Sequence, residues 1–269
     1  MPHRDAIAQA LRRANDRGGP ALVAFLTAGF PDRLSFTRHL QSVAAVADVV
    51  EIGVPFSDPM ADGMTIQRSS RVALEQGVTL AWILETLASQ PLRPRAPLVL
   101  MSYLNPLLAY GIRRLSGDAR TAGISGFIVP DLPWEECAEL RSALTSEGLA
   151  LVQMVTPLTP AARLELLARE SQGFVYAVTA AGTTGGAVAI PDDLLAYLDR
   201  VRAATSLPVC AGFGIRNAEQ VGRMTGHADG VIVGSALIDL IEQGGDAAAF
   251  LGGLRAGSGR AVLSGNPSA

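Results

Sequence analysis

The sequence contains no lysine, because its 22 basic residues are all arginine. A chain without a lysine amine cannot form a Schiff base with a carbonyl substrate and cannot anchor pyridoxal phosphate covalently. There are only two cysteines, Cys137 and Cys210, and the histidines His3, His39 and His227 stand far apart in the sequence. These numbers and spacings favour neither a disulfide framework nor a metal cluster, although ligands from distant loops remain an alternative. Carboxylates are therefore the obvious acid–base groups.

Long hydrophobic runs are also missing from the sequence. No apolar run approaches the roughly 20 residues that a membrane helix needs, and no signal-like apolar core follows the charged N-terminus. The net charge is −3 with interspersed signs, and no basic aromatic stripe is present, which argues against a nucleic-acid partner. With 269 residues, of which 49% are hydrophobic, the chain can bury a full core. We expect a cytoplasmic protein without membrane contacts.

Short apolar strands alternate with amphipathic helices about eight times, after a first helix over residues 4–17. The strands are continuous apolar runs, which is typical of a parallel sheet covered by helices. A doubly wound sheet is the alternative, but it rarely needs eight similar units, and no G-x-G-x-x-G motif follows the first strand. The pattern predicts a (β/α)8 TIM barrel over residues 1–256, with one helix over about 105–122, and a flexible C-terminal tail over 257–269.

Residues 49–63 begin as a buried strand and end as a loop rich in turn-forming residues. Glu51 lies where the apolar strand meets that loop, and Asp62 lies within the loop, able to fold back over Glu51. In an apolar barrel mouth the pKa of Glu51 is expected to rise toward neutrality, whereas Asp62 is expected to stay ionised. The alternative is that Glu51 is solvated at a strand end and that Asp58 and Asp62 are ordinary turn residues.

Glycine-containing loops follow the last three predicted strands, at residues 182–186, 212–214 and 234–235. In TIM barrels phosphate often binds between the loops after strands seven and eight, at the N-terminus of a short helix. Glycines allow backbone N–H groups to approach such an anion. A single glycine is more simply a turn former, but three such loops favour an anion site. The predicted phosphate-binding residues are Gly185, Gly214, Gly234, Ser235 and Thr184.

Several motifs closely resemble one known family. The segment E-I-G-V-P-F-S-D-P-M-A-D-G at 51–63, with T-I-Q at 65–67, is similar to the signature of the tryptophan synthase alpha subunit. The segments P-D-L-P at 130–133, G-F-G-I at 212–215 and V-G-S-A at 233–236 also resemble that family, so the resemblance spans nearly the whole chain. It implies a retro-aldol cleavage of indole-3-glycerol phosphate to indole and glyceraldehyde 3-phosphate.

In this mechanism Glu51 would give a proton to the indole carbon and take one from the adjacent hydroxyl, while Asp62 would accept the ring N–H. We expect an indole-sized apolar pocket formed by Phe25, Leu26, Ile66 and Phe213. Tyr176 matches a tyrosine that lines the family's site, and an ordinary core aromatic is the alternative. A phosphosugar isomerase on the same barrel would share the phosphate loops without needing that pocket.

The family's partner is a pyridoxal-phosphate beta subunit that receives indole through a tunnel in an alpha2-beta2 heterotetramer. By resemblance, Asp58, Pro59, Asn105 and the loop 180–189 would form contact or gating surfaces. No cofactor is expected in this chain itself, and pyridoxal phosphate is expected only in the partner.

Two residues depart from the family pattern, because Met64 replaces a usual proline and Thr183 a common valine, which would affect loop closure. Two further alternatives concern the partner. The chain would either cleave the substrate as a free-standing lyase, or serve mainly to bind and activate a partner.

Overall fold

The computed structural model of the chain describes residues 3–179, 191–212 and 214–261, with side chains described up to 256. Eight parallel strands pair in sequence order, and the last pairs with the first to close a barrel. The predicted (β/α)8 fold is confirmed. The strands are β1 (Ala21–Thr27), β2 (Val49–Gly53), β3 (Leu98–Met101), β4 (Ile124–Ile128), β5 (Ala150–Val155), β6 (Val175–Val178), β7 (Val209–Gly212) and β8 (Gly230–Val233).

Helices connect the strands around the outside of the barrel, and one helix precedes β1. The described helices are α1 (His3–Asn15), α2 (Phe36–Ala44), α3 (Met64–Glu75), α4 (Leu80–Ala88), α5 (Leu104–Tyr110), α6 (Ile112–Thr121), α7 (Ala138–Ser146), α8 (Ala161–Glu170), α9 (Asp192–Ala203), α10 (Ala218–Arg223), α11 (Ser235–Glu242) and α12 (Ala247–Ala261). In the described part of the chain, none combines the length and the apolar composition needed to cross a bilayer.

The structure differs from the sequence prediction at α5 and α6 and at the end of α12. The single helix expected over 105–122 is wrong, because Gly111 adopts a φ of 93°, which ends α5 and lets α6 start afresh. At the C-terminus, α12 continues to Ala261, beyond the boundary predicted at 256. Residues 262–269 of the predicted tail lie outside the described part of the chain.

Alternate residues of each strand point into the barrel, since side chains of a strand change face at every residue. The inward residues Val23, Val49 and Val99 are fully buried and belong to one interior cluster. Ile7 and Leu11 of α1 are also fully buried in this cluster. The predicted extra N-terminal helix therefore plugs the amino-terminal end of the barrel, and a ligand can enter the barrel interior only from the carboxyl ends of the strands.

Candidate active site

A cavity of about 230 Å³ opens at the carboxyl-terminal end of the barrel. It brings together residues from β1, β2, β3, β6, β7 and β8 and the loops that follow several of them. The lining residues are Phe25, Glu51, Asp62, Gly63, Ile66, Met101, Tyr176, Gly212, Gly214, Ile232, Gly234 and Ser235. Both carboxylates and two of the predicted phosphate loops therefore face the same space.

Glu51 is the central residue of β2 and points into the barrel, between its register neighbours Phe25 and Val99. Its side chain is 0% exposed, and neither carboxyl oxygen has a hydrogen-bond partner among the described residues. The alternative of a solvated strand-end carboxylate is therefore wrong. Burial raises the pKa of Glu51 from its ordinary value of 4.5 to about 8, so the group carries a proton at neutral pH.

Asp62 lies in the loop between β2 and α3 and is partly buried. Burial raises the pKa of Asp62 to about 6, while the hydroxyl of Tyr103, which is hydrogen-bonded to its carboxylate, acts in the opposite direction. Asp62 is thus ionised at pH 7, as expected, although the sequence did not predict that its pKa would be raised. Two carboxyl groups of opposite protonation state face one cavity.

Tyr103 was not singled out from the sequence, because an aromatic residue beside a helix start is usually a packing residue. Its hydroxyl accepts a hydrogen bond from the Ala61 N–H at 2.9 Å, and its ring stacks on Phe56 with 5.1 Å between the ring centroids. The N–H of the next residue, Leu104, donates to Asp131 Oδ1 at 2.9 Å. Tyr103 therefore ties the loop that carries Asp62 to the loop after β3, and Leu104 ties that loop to the one after β4.

Tyr176 lies on β6 and lines the cavity beside the carboxylates. A Cβ atom at Gly212 would lie 2.8 Å from its hydroxyl oxygen, so the ring packs directly over the glycine backbone. Burial, together with the nearby charges of Glu51 and Asp62, raises the pKa of Tyr176 well above its usual range. The phenol keeps its proton at neutral pH and can donate it in a hydrogen bond.

The apolar wall of the cavity contains Phe25 and Ile66, which the sequence suggested, and also Met101 and Ile232, which it did not. Leu26 does not line the cavity: it follows the inward-facing Phe25 and so points outward, into the layer between the strands and the helices. Glycine is needed at Gly53, since a Cβ there would collide with the ring of Phe25. The sequence did not indicate Met101 and Ile232, because most strands are apolar on both faces and the inward-facing residues cannot be told from the outward-facing ones.

Gly214, Gly234 and Ser235, where α11 begins, form a further part of the cavity lining, and Gly234 lies beside Phe25. Gly214 has a φ of 67°, a backbone conformation that favours glycine. The first N–H groups of a helix have no partner within the helix and carry partial positive charge, so this helix start suits an anion. Thr184 and Gly185 of the predicted phosphate site lie outside the described residues, as does Phe213 of the predicted pocket.

An ion-pair network connects α3 and the loop after β7 to α11. Asp239 on α11 accepts hydrogen bonds from Thr65 at 3.2 Å and from Arg68 at 3.1 Å, both on α3. Arg216, in the loop after β7, approaches the same carboxylate at 3.7 Å. The helix that follows the Asp62 loop is thereby held against the helix that begins at Ser235.

The residues predicted to contact a partner surround this end of the barrel. Asp58 and Asn105 are exposed and Pro59 is partly exposed, while the loop 180–189 lies outside the described residues. Among the described residues there is no group of three or more His, Cys, Asp or Glu side chains arranged to hold a metal ion.

Comparison with known proteins agrees with this geometry. The family model described as tryptophan synthase alpha chain matches residues 11–251. The tryptophan synthase alpha chain of Nitratidesulfovibrio vulgaris (strain DP4) is 46% identical over 242 residues, covering 90% of this chain and 94% of the relative. That of Geobacter sp. (strain M21) is 46% identical over 254 residues, covering 93% and 95%.

Solved structures give the same result. The tryptophan synthase subunit alpha of Legionella pneumophila superposes with a TM-score of 0.86 at 30% identity, covering 97% of this chain and 99% of that one. A chain of tryptophan synthase from M. tuberculosis superposes with a TM-score of 0.84 at 31% identity, covering 93% and 96%. The resemblance seen in the motifs is confirmed, and the chain belongs to the tryptophan synthase alpha chain family.

Proposed function

We propose that the barrel cleaves indole-3-glycerol phosphate into indole and glyceraldehyde 3-phosphate, with Glu51 as acid and base and Asp62 as the acceptor of the indole N–H. One observation carries the proposal: the carboxyl groups of Glu51 and Asp62 share a cavity with the start of α11, and burial raises the pKa of Glu51, to about 8, further than that of Asp62, to about 6. An acid and a base kept apart by their environments are the requirement for moving protons at neutral pH.

The reaction needs one proton delivered and one removed. Glu51, protonated at neutral pH, donates its proton to the indole carbon that bears the glycerol chain. Asp62 accepts the ring N–H and stabilises the positive charge that develops at the ring nitrogen. The Glu51 carboxylate then removes the proton of the adjacent hydroxyl. The carbon–carbon bond breaks, its electrons return to the indole ring, and Glu51 regains its proton.

The other cavity residues support substrate binding. Phe25, Ile66 and Met101 offer an apolar wall for the indole ring, while Gly214, Gly234 and Ser235 are proposed to bind the phosphate. The contacts of Thr65 and Arg68 with Asp239 hold α3, which follows the Asp62 loop, against α11. Thr184, Gly185 and Phe213 remain predictions from sequence.

The test is a product assay on the purified chain. Indole and glyceraldehyde 3-phosphate should appear in equal amounts from indole-3-glycerol phosphate, and indole-propanol phosphate should compete with the substrate. A phosphosugar isomerase would instead interconvert sugar phosphates and would not be inhibited by an indole-bearing mimic. Absence of indole release, both alone and with a beta subunit, contradicts the proposal.

The proposed partner is a tryptophan synthase beta subunit that carries the pyridoxal phosphate, in an alpha2-beta2 complex. Exposed apolar side chains at the carboxyl-terminal end of the barrel support a partner surface there, since Met60 is 88% and Leu158 is 90% exposed. Asp58, Pro59 and Asn105 lie at the same end and are proposed to belong to this surface. A cytoplasmic location of the complex remains a prediction.

A matched pair of variants tests this surface. Leu158→Asp should weaken association with the beta subunit in gel filtration and reduce the activation of indole release that the partner gives. Leu92→Asp is the control, because Leu92 is 75% exposed but precedes β3 at the opposite end of the barrel. Equal association of both variants would remove the Leu158 region from the interface. Full turnover by the isolated chain would favour a free-standing lyase.

A further inference from the structure

A second cleft, of about 470 Å³, lies at the amino-terminal end of the barrel, opposite the candidate active site. It is bounded by α1, the end of α2, the residues that precede β2 and β3, and α12. Four arginines line it, namely Arg13, Arg17, Arg95 and Arg255, and its one acidic lining residue is Asp48. The chain as a whole has a net charge of −3, so the positive charge here is a local feature.

Asp48 does not neutralise this cleft. Its Oδ1 pairs with Arg17 at 2.5 Å, and its Oδ2 accepts from Arg255 at 2.7 Å and from the N–H of Leu22 at 2.9 Å. The carboxylate is only 8% exposed, because these donors surround it. Asp48 is thus already paired with Arg17 and Arg255, and Arg13 and Arg95 are the other two arginines of the lining.

Arg13 and Arg95 are exposed, and within the described ranges neither side chain makes an ion pair or a hydrogen bond. Elsewhere in the fold, exposed arginines commonly find a carboxylate, as Arg68 does with Glu242 at 2.7 Å and Arg120 with Glu147 at 3.1 Å. Two guanidinium groups with open donors therefore flank a concave surface. Their mutual repulsion would be relieved by a bound anion.

We propose that this cleft binds a small phosphate-bearing anion. Guanidinium groups match the geometry of phosphate oxygens and form paired, charge-assisted hydrogen bonds with them. The floor of the cleft includes the short side chains of Ala44, Ala47 and Ala96, which leave room for a ligand. Its volume lies in the range of small-molecule sites. The proposal is independent of the cleavage reaction, because the two sites lie at opposite ends of the barrel.

The test must separate this cleft from the proposed active-site phosphate site. Gly234→Asp serves that purpose, since a carboxylate at the start of α11 repels an anion there. The residue has a φ of −114°, and a Cβ would meet Phe25 at an ordinary 3.6 Å. Binding of inorganic pyrophosphate and of ATP to this variant is measured by isothermal titration calorimetry at low ionic strength, where charge pairs are least screened.

Arg13→Ala and Arg95→Ala are then combined in the Gly234→Asp background. Each lost arginine should weaken binding about 10-fold, and the pair about 100-fold. The matched control combines Arg71→Ala and Arg113→Ala, which removes the same charge from exposed positions on α3 and α6 and should change affinity less than about 2-fold. If the cleft double variant does not fold, Arg95→Gln alone, which keeps most of the side-chain stem, gives the same comparison.

The outcomes decide the proposal. Similar affinities for pyrophosphate and ATP would indicate that the phosphate groups alone are recognised, and tighter ATP binding that the nucleoside contributes; both results support the site. The proposal is overturned if neither probe binds at about 1 mM. It is also overturned if the Arg13 and Arg95 variants bind as tightly as the control.

Discussion

Replacing Glu51 by glutamine keeps the size of the side chain but removes the group that gives and takes the proton. We expect turnover of indole-3-glycerol phosphate to fall by roughly 10²- to 10⁴-fold, the usual contribution of a general acid–base group. The same change should stabilise the fold. Glu51 is fully buried without a hydrogen-bond partner among the described residues, and its folded pKa of about 8 exceeds the ordinary value of 4.5.

The sign of the stability effect follows from these two pKa values. Below pH 4.5 the carboxyl is protonated in both the folded and the unfolded chain, so its ionisation does not lower the free energy of unfolding. As the pH rises, the unfolded chain ionises first, so the wild type loses stability by about 1.4 kcal/mol per pH unit up to about pH 8, where the loss levels off. At pH 7 the accumulated cost is about 3 kcal/mol. Glutamine cannot ionise, so the Glu51→Gln variant does not lose stability in this way as the pH rises.

The assay is thermal and urea unfolding of wild type and Glu51→Gln between pH 5 and pH 8. The variant should gain stability relative to the wild type as the pH rises, and at pH 7 its Tm should be higher by about 6 °C. Glu75→Gln, at an exposed position on α3, is the control and should show no such trend. A stability difference that does not change with pH would refute the buried, proton-bearing Glu51. Retained turnover would remove it from the reaction.

Three further predictions concern the site and the barrel. The value of kcat/KM should fall below about pH 6, where Asp62 gains a proton, and above about pH 8, where Glu51 loses one; Asp62→Asn should abolish the acidic limb of the pH profile. Gly53→Ala should displace the Phe25 ring and raise KM for the indole substrate about 10-fold or more. The control is Gly117→Ala on α6, where an added Cβ meets no other atom, and it should have no effect in the same steady-state assay. Asp48→Ala should lower the free energy of unfolding by about 2–3 kcal/mol in urea titrations, because the Leu22 N–H and two arginines lose their acceptor. It should change indole release less than about 2-fold, since Asp48 lies at the amino-terminal end of the barrel, opposite the candidate active site.

Each of these has an outcome that contradicts it. A pH profile without an acidic limb would remove the ionised Asp62 from the mechanism. An unchanged KM in Gly53→Ala would mean that Phe25 does not shape the substrate pocket. Unaltered stability of Asp48→Ala would mean that water replaces its hydrogen bonds at no cost.

The fold could be predicted from the sequence because a parallel barrel requires a regular alternation of apolar strands and helices. Most strands are buried on both faces and are mainly apolar, so they appear as apolar runs between helices, and the eight repeats follow one another along the chain. The same property concealed the site. Where both faces of a strand are apolar, no alternation tells which residues point inward, and Leu26 was wrongly placed in the pocket beside Phe25. Glu51 was expected at a strand end, whereas it is the central residue of β2.

The break between α5 and α6 and the contact of Tyr103 with Asp62 could not be predicted from the sequence either. The break at Gly111 depends on its positive φ, and a glycine in a helical pattern does not by itself reveal that conformation. Tyr103 stands 41 positions after Asp62 in the numbering, and only the adjacency of the loops after β2 and β3 brings its hydroxyl to the Asp62 carboxylate. The raised pKa of Asp62 follows from that tertiary burial.

By itself the sequence determined the alternation of strands and helices, the absence of a lysine nucleophile, the acidic pair in one long motif, and the glycines of the later loops. These are local properties, set by residue type, spacing and backbone freedom. The closed barrel decided the rest. It placed the Glu51 side chain inside the barrel, brought Asp62 and the start of α11 to the same cavity, and brought four arginines together at the opposite end. The physical reason is that closure of the barrel places side by side residues that are far apart along the chain.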